Sequence, residues 1–235
     1  MPTVAVMQPY LFPFVGYFQL VDAVDVFVFY DDVDFITRGW INRNNIMVQG
    51  HKHLFTVPVK NASQNKAIDE IQVSRNEQWL KKFQKTLYHA YGQHSNYEQT
   101  KELIHETLES IPCSIAYLAS KSVKLISKTI GLKTEFLNAS ELGIDRNLDK
   151  ADRLIAVCKK LNADHYVNAI GGLELYDKSY FSKEGVELSF LKPNFRLYEQ
   201  QNTEQFVSGI SVIDILMNVE ADRVHKDVIE GYSLI

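Results

Sequence analysis

Two adjacent carboxylates followed by a long basic stretch make the most chemically informative pattern in this chain. Asp31 and Asp32 close an apolar run from Val24 to Tyr30. From Phe35 to Lys66 no Asp or Glu occurs, while Arg38, Arg43, Lys52, Lys60 and Lys66 do. In a chain with a formal net charge of -4 this is a concentrated positive field, so any anion site must be local. Trp40, Asn42, Asn44 and Asn45 are interleaved with it. A guanidinium able to make paired charge-assisted bonds, amide donors and an aromatic face are what recognition of phosphate or pyrophosphate uses. Arg38, Arg43 and Lys60 are therefore read as ligand contacts. Lys52 and Lys66 are read as solvated lysines of an edge hairpin, where they discourage strand pairing. Asp31 and Asp32 suit three roles: a general base, an acceptor for ligand hydroxyls, or a holder of Mg²⁺ for a phosphate ligand. Helix capping or pairing with Arg38 is the structural alternative for either one.

A second candidate region is Gly171-Gly172-Leu173-Glu174-Leu175-Tyr176, where bare backbone can approach a ligand closely. It is neither a dinucleotide fingerprint nor a phosphate-binding Walker loop, and its alternative reading is a tight turn. His51 and His53 share a strand face without an acidic or Cys partner nearby, and the other histidines are scattered, so no metal set and no covalent nucleophile is inferred. Cys113 and Cys158, the only two cysteines, match neither a disulfide framework nor a zinc site and are read as core thiols.

The elements that must position these residues follow from periodicity. Val4 to Met7, ended by Gln8-Pro9, and Val24 to Tyr30 read as buried strands, with a short helix from Gly16 to Asp22 between them. Strand, helix, strand is the opening of a right-handed parallel crossover. Ligands of such sheets bind beyond the carboxyl ends of the strands, which brings Gln8, Asp31, Asp32, Arg38 and Arg43 to one crevice. Arg38 to Val48 and His53 to Val59 read as a hairpin turning near Gly50, with Pro58 at an edge or an end. Helical spacing dominates from Asn76 to Gly131. Glu135 to Leu137, His165 to Ile170 and Val186 to Leu191 then complete the sheet, with a helix from Leu148 to Leu161. The expected fold is α/β: a Rossmann-like, doubly wound, mostly parallel sheet with a basic β-hairpin. It forms one domain over residues 1–235, in which 70–132 are a mainly helical insertion.

With 235 residues, 46% hydrophobic and 23% charged, the composition is that of a globular protein and excludes a disordered or fibrous chain. The negative net charge argues against nucleic acid as a partner. Leu11 to Tyr30 is apolar, but Pro13, Gln19, Asp22 and Asp25 interrupt it, and each central Asp costs roughly 2.5 to 3.5 kcal/mol in lipid, so no membrane span is expected. The first residues lack the basic n-region of a secretory signal, and a cytoplasmic location is expected.

The run Met7-Gln8-Pro9-Tyr10-Leu11-Phe12-Pro13-Phe14-Val15-Gly16-Tyr17-Phe18, then Val26 to Val33, then Arg38-Gly39-Trp40-Ile41-Asn42-Arg43-Asn44, resembles the opening of WbqC-like proteins. The likeness continues through Thr56 to Lys60, Gly171 to Phe181 and Ile210 to Leu216. It implies a role around nucleotide-linked sugars in the assembly of O-antigen and other bacterial surface polysaccharides. The expected activity is a transferase that acylates or aminoacylates an aminosugar amine. Asp31 or Asp32 takes the amine proton, basic residues hold the diphosphate, and Trp40 or Tyr10 stacks on a ring. The first loop also resembles that of nucleotidylyltransferases, but of their HxGH motif only Gly16 is present. Two alternatives stand beside the transferase: a nucleotidylyltransferase or ATP-using ligase, and a noncatalytic sugar-phosphate binding protein.

Overall fold

The computed structural model describes residues 1–201, 203 and 205–235. Its elements are β1 (Thr3–Met7), α1 (Val15–Asp22), β2 (Val26–Phe29), β3 (Arg43–Val48), β4 (His51–Thr56), β5 (Val59–Lys60) and β6 (Gln72–Val73). Three helices follow, α2 (Glu77–Tyr91), α3 (Tyr97–Leu108) and α4 (Ile115–Thr129). Then come β7 (Glu135–Asn138), α5 (Lys150–Lys160), β8 (His165–Ala169), α6 (Lys178–Lys183), β9 (Glu187–Lys192), α7 (Val212–Asn218), α8 (Ala221–Val224) and β10 (Ser233–Leu234). The chain is a mixed α/β protein built on a six-stranded sheet of order β10-β9-β8-β1-β2-β7. All neighbours in it are parallel except the pair β10 and β9.

β1 from Val4 onward and the whole of β2 are apolar because both faces of the sheet are covered. Ala5, Phe27 and Phe29 point into one hydrophobic cluster with α1 and α4, while Val4, Val6, Val26 and Val28 point into a second with α5 and α6. Alternation along a strand sends neighbouring side chains to opposite faces, so a run such as Val26–Phe29 is buried on both. The valines match the narrow β-branched preference of a strand and each contributes on the order of 1.5–3 kcal/mol of burial.

The hairpin of β3 and β4 turns on Gln49 and Gly50, both at positive φ (51° and 76°), the geometry of a two-residue primed turn. The first strand starts at Arg43 rather than at Arg38, because Arg38 itself takes φ 61° and the segment before Arg43 folds into turns. Pro58 falls between β4 and β5, ending the strand as a residue without an N–H must. α2 is capped by Asn76, whose side chain accepts the Trp79 N–H, and its stripe of Trp79 and Phe83 stacks toward Phe55 of β4. α4 ends where Gly131, at φ 81°, lets Leu132 N–H reach Ser127 O at 2.9 Å.

Val186 to Leu191 joins the sheet as expected, as β9 beside β8, and the chain then returns at its C-terminus and adds β10 on the outer side of β9. Two residues carry too little alternation to be read in advance. α7 is fixed by a buried carboxylate, Asp214, which accepts from Tyr91 Oη and Tyr198 Oη at 2.7 Å each and from Gln200 Nε2 at 3.1 Å. Burial pushes that carboxyl above its ordinary value, and the three donors oppose the shift. Among the described residues no helix is long and apolar enough to cross a membrane.

Candidate functional site

Three parallel strands, β2, β1 and β8, deliver their carboxyl ends side by side, and beyond them opens a cleft of about 520 Å³. β1 contributes Met7 and Gln8, and the end of β2 contributes Tyr30 and Val33. The end of β8 and the segment after it contribute Asn168, Gly171, Gly172 and Tyr176, while the approach to α5 contributes Arg146 and Leu148 and its first turns Lys150 and Arg153. Strand order reverses here, since β2 leaves β1 on one side and β8 joins it on the other. Two crossovers diverge at such a point, which leaves a crevice between them.

Arg153 is the most constrained cation of the cleft. Its side chain is 5% exposed, its Nη2 donates to Asp32 Oδ2 at 2.5 Å, and its guanidinium lies 4.7 Å from the centre of the Tyr30 ring. Arg146 is held more loosely: 51% exposed, its Nε lies 3.3 Å from the same Asp32 oxygen and its Nη2 3.5 Å from Asp69 Oδ2. Three buried atoms in this constellation, Asp32 Oδ1, Asp69 Oδ1 and Arg153 Nε, have no hydrogen-bonding partner in the protein. Polar atoms buried without partners cost free energy, so their concentration at one cleft is a mark of a binding site.

Asp31 and Asp32 point to different neighbours although adjacent in sequence. Asp31 accepts Ser140 N–H at 3.0 Å and Ser140 Oγ–H at 2.7 Å, so the turn after β7 is tied to the end of β2. Asp32 receives the two arginines. Asp69 is brought alongside by backbone pairing, because its N–H donates to Asp31 O at 3.0 Å and Ile68 N–H to Val33 O at 3.0 Å. Burial raises the Asp69 carboxyl above its ordinary value. Arg146 opposes that rise, and the charges of Asp31 and Asp32 add to it. The Tyr30 and Tyr176 phenols are also raised, chiefly by burial, so they stay protonated and can donate near neutral pH.

Of the residues singled out from sequence, Gln8, Gly171, Gly172 and Tyr176 line this cleft, and Asp32 lies directly behind it in contact with two lining arginines. Gly171 has no atom within 4 Å of where a Cβ would stand, whereas a Cβ on Gly172 would lie 2.3 Å from Asn168 Nδ2. The first is bare backbone against open space, and the second is required by packing. Tyr10, Gly16, Asp31, Arg38, Trp40, Asn42, Arg43, Asn44 and Lys60 are outside the lining of the cleft among the described residues. Several have other partners. Arg43 donates to Gly39 O at 2.9 Å and to Arg38 O, and its guanidinium lies over Trp40. Asn42 Nδ2 donates to Val57 O at 2.9 Å and Asn44 Nδ2 to Phe12 O at 2.8 Å. Tyr10 leans on Tyr17, ring centres 5.7 Å apart, and a Cβ on Gly16 would meet the Phe14 ring. Lys60 is exposed on β5.

Arg146, Lys150, Arg153 and Asp69 were not visible as site residues in the sequence. For Arg146, Lys150 and Arg153 the signal is positional: they lie around the start of a helix that follows a sheet strand, and Arg153 precedes the apolar Leu154 and Ile155; Asp69 has no such signal.

The cleft, its cations and its place at the carboxyl edge are those of an α/β protein with a pocket beyond its parallel strands. The WbqC-like protein family matches residues 8–226, and the chain belongs to that family. It is also 25% identical to the uncharacterized protein Rv1507c of Mycobacterium tuberculosis over 225 residues, covering 94% of this chain and 96% of the relative. No solved structure matches the chain.

Proposed function

We propose that this protein is a cytoplasmic transferase that binds a nucleotide-linked sugar in the cleft and acylates or aminoacylates the amine of an aminosugar during surface-polysaccharide, O-antigen-type, assembly. Support for the substrate class comes from one observation above the others: Arg146, Lys150 and Arg153 converge beside Gln8 and the Gly171 backbone at the point where strand order reverses. This is where a Rossmann-like, doubly wound sheet holds phosphorylated ligands. Arg146 and Lys150 take the diphosphate, and the faces and phenols of Tyr30 and Tyr176 take the sugar or base.

In the reaction the amine nitrogen attacks the acyl carbonyl carbon, the bond from that carbon to the donor's leaving group breaks, and the amine proton passes to a carboxylate. Asp31 and Asp32 are the acceptors read from the sequence. Their partners divide the work: Asp32 holds Arg153 in place, and Asp31, which bonds to Ser140 and to no cation, is the acceptor in this reading.

A thermal-shift screen of nucleotides, sugar nucleotides and acyl-CoAs tests the reading, since a ligand that binds only the native state raises apparent stability. Stabilisation by sugar nucleotides, reduced in Arg146→Gln and in Lys150→Gln, is expected. Stabilisation by nucleoside triphosphates alone transfers the site to a nucleotidylyltransferase or ligase, and no response to any of these compounds rejects it.

A further inference from the structure

Arg146 differs from the other cations of the cleft in how it is held. It is half-exposed at the mouth and sits between two carboxylates at 3.3 Å and 3.5 Å, both longer than the 2.5 Å bond of Arg153 to Asp32. When Arg146 leaves, Asp32 keeps Arg153. Asp69 keeps nothing of the kind: Arg146 is the one cation within ion-pair distance of it among the described residues, and its other oxygen is buried without a partner. A phosphate in the cleft therefore competes with Asp69 for a guanidinium that Asp69 cannot replace.

We propose that Arg146 is an exchangeable anion contact: a ligand phosphate draws its guanidinium away from Asp32 and Asp69, and Asp69 takes up a proton as it loses that cation. The inference deepens the reading of the cleft as a phosphate site and rests on it. The charged groups around Asp69 all favour this direction. From the loop after β2, Asp31 and Asp32 face it with like charge, and Glu70 on its own turn does the same. From α4, which packs on that turn, Lys121 is held by Glu106 O and Ser110 Oγ, and Lys124 lies over the Phe29 ring. With Arg146 in place, the Asp69 carboxyl already stands above the ordinary 3.8 of an aspartate, and Arg146 is the attraction that lowers it. Removing that attraction raises it further. Protons are then bound on ligand binding at any pH between the two values, and the uptake fades as pH rises above both or falls below both.

The test is calorimetry of the intact protein with a panel of nucleoside diphosphate sugars, whose diphosphate has no proton that titrates near neutrality. Each titration is run from mildly acidic to neutral pH in buffers of different ionisation enthalpy, which together give the number of protons exchanged. Wild type takes up a fraction of a proton, up to about one, per ligand bound. Asp69→Asn, nearly isosteric and keeping its backbone bond to Asp31, loses that uptake while its affinity holds or rises, because Arg146 has one fewer competitor. Arg146→Gln also loses the uptake, but its affinity falls roughly ten- to a hundredfold, the value of a charge-assisted bond. Opposite affinity changes with the same loss of uptake are the signature. Binding without proton uptake in wild type, or uptake unaltered in Asp69→Asn, overturns the exchange and leaves the phosphate site standing. Absence of binding by the whole panel to a folded wild type overturns both.

Discussion

Asp32→Asn removes the charge from a carboxylate whose side chain is 3% exposed and whose partner Arg153 is 5% exposed. A buried guanidinium left without its counter-charge typically costs 3–5 kcal/mol. The asparagine oxygen still accepts one hydrogen bond, which argues for the lower end, but Arg153 has little reserve: its Nε already lacks a partner and its remaining contact is the Tyr30 face. The expected loss is about 3 kcal/mol, or roughly 6–12 °C in Tm for a chain of this size. Urea unfolding followed by circular dichroism measures it, with an unchanged slope against denaturant showing that stability alone has moved. Arg146→Ala is the internal control. Its guanidinium is half-exposed and its ion pairs are long, so its cost is on the order of 0–1 kcal/mol. The double variant Asp32→Leu, Arg153→Met, which removes both charges, should recover most of the loss. A cost below about 1 kcal/mol for Asp32→Asn, or a double variant as unstable as the single, refutes the argument that this pair is a buried charge couple.

Three further outcomes are expected. Arg43→Ala should cost about 1 kcal/mol in thermal or urea unfolding, after discounting for exposure, with no change in affinity for a ligand of the cleft, since Arg43 braces its own loop. Gly172→Ala should destabilise by roughly 1–3 kcal/mol because its Cβ displaces Asn168, while Gly171→Ala should leave unfolding within about 0.5 kcal/mol of wild type and weaken binding measured by calorimetry. The Asp214 carboxyl is raised in the folded state, so it favours folding below its unfolded value, and that contribution is lost as pH rises through its folded value. The stability of wild type relative to Asp214→Asn should therefore fall as pH rises above the ordinary aspartate value of 3.8, and a flat difference would count against a raised carboxyl.

The parallel core was legible because its signals are local. Val4–Met7 and Val26–Phe29 are unbroken apolar runs, Gly50 and Gly131 mark a turn and a helix end, and α5 shows its stripe at helical spacing. The candidate site was legible only where it touches those strand ends, at Gln8, Asp32 and Gly171 to Tyr176. Basic charge in sequence was a less specific guide. The guanidinium of Arg43 is taken by carbonyls four and five residues away, a local geometry that no composition reveals. Arg153 reaches Asp32 across 121 residues, and Asp69 reaches Arg146 through a turn placed by backbone bonds to Asp31 and Val33. Such pairs are created by topology, and a single sequence gives no spacing rule that would join them.

Strand order also sets a schedule for synthesis. β1 is made almost first yet lies at the centre, and its register partner on one side, Val26 of β2, follows at once, while on the other side Thr3 waits for His165. At about 5–20 residues per second, that gap of about 160 residues lasts on the order of ten to thirty seconds. Throughout it the nascent chain carries an apolar strand with one row of unpaired N–H and C=O groups, open to pairing with any other extended chain. The half that is made first already contains the whole basic hairpin, yet it has neither Arg153 nor the β8 end. A ligand of the cleft cannot stabilise the protein until this window has closed.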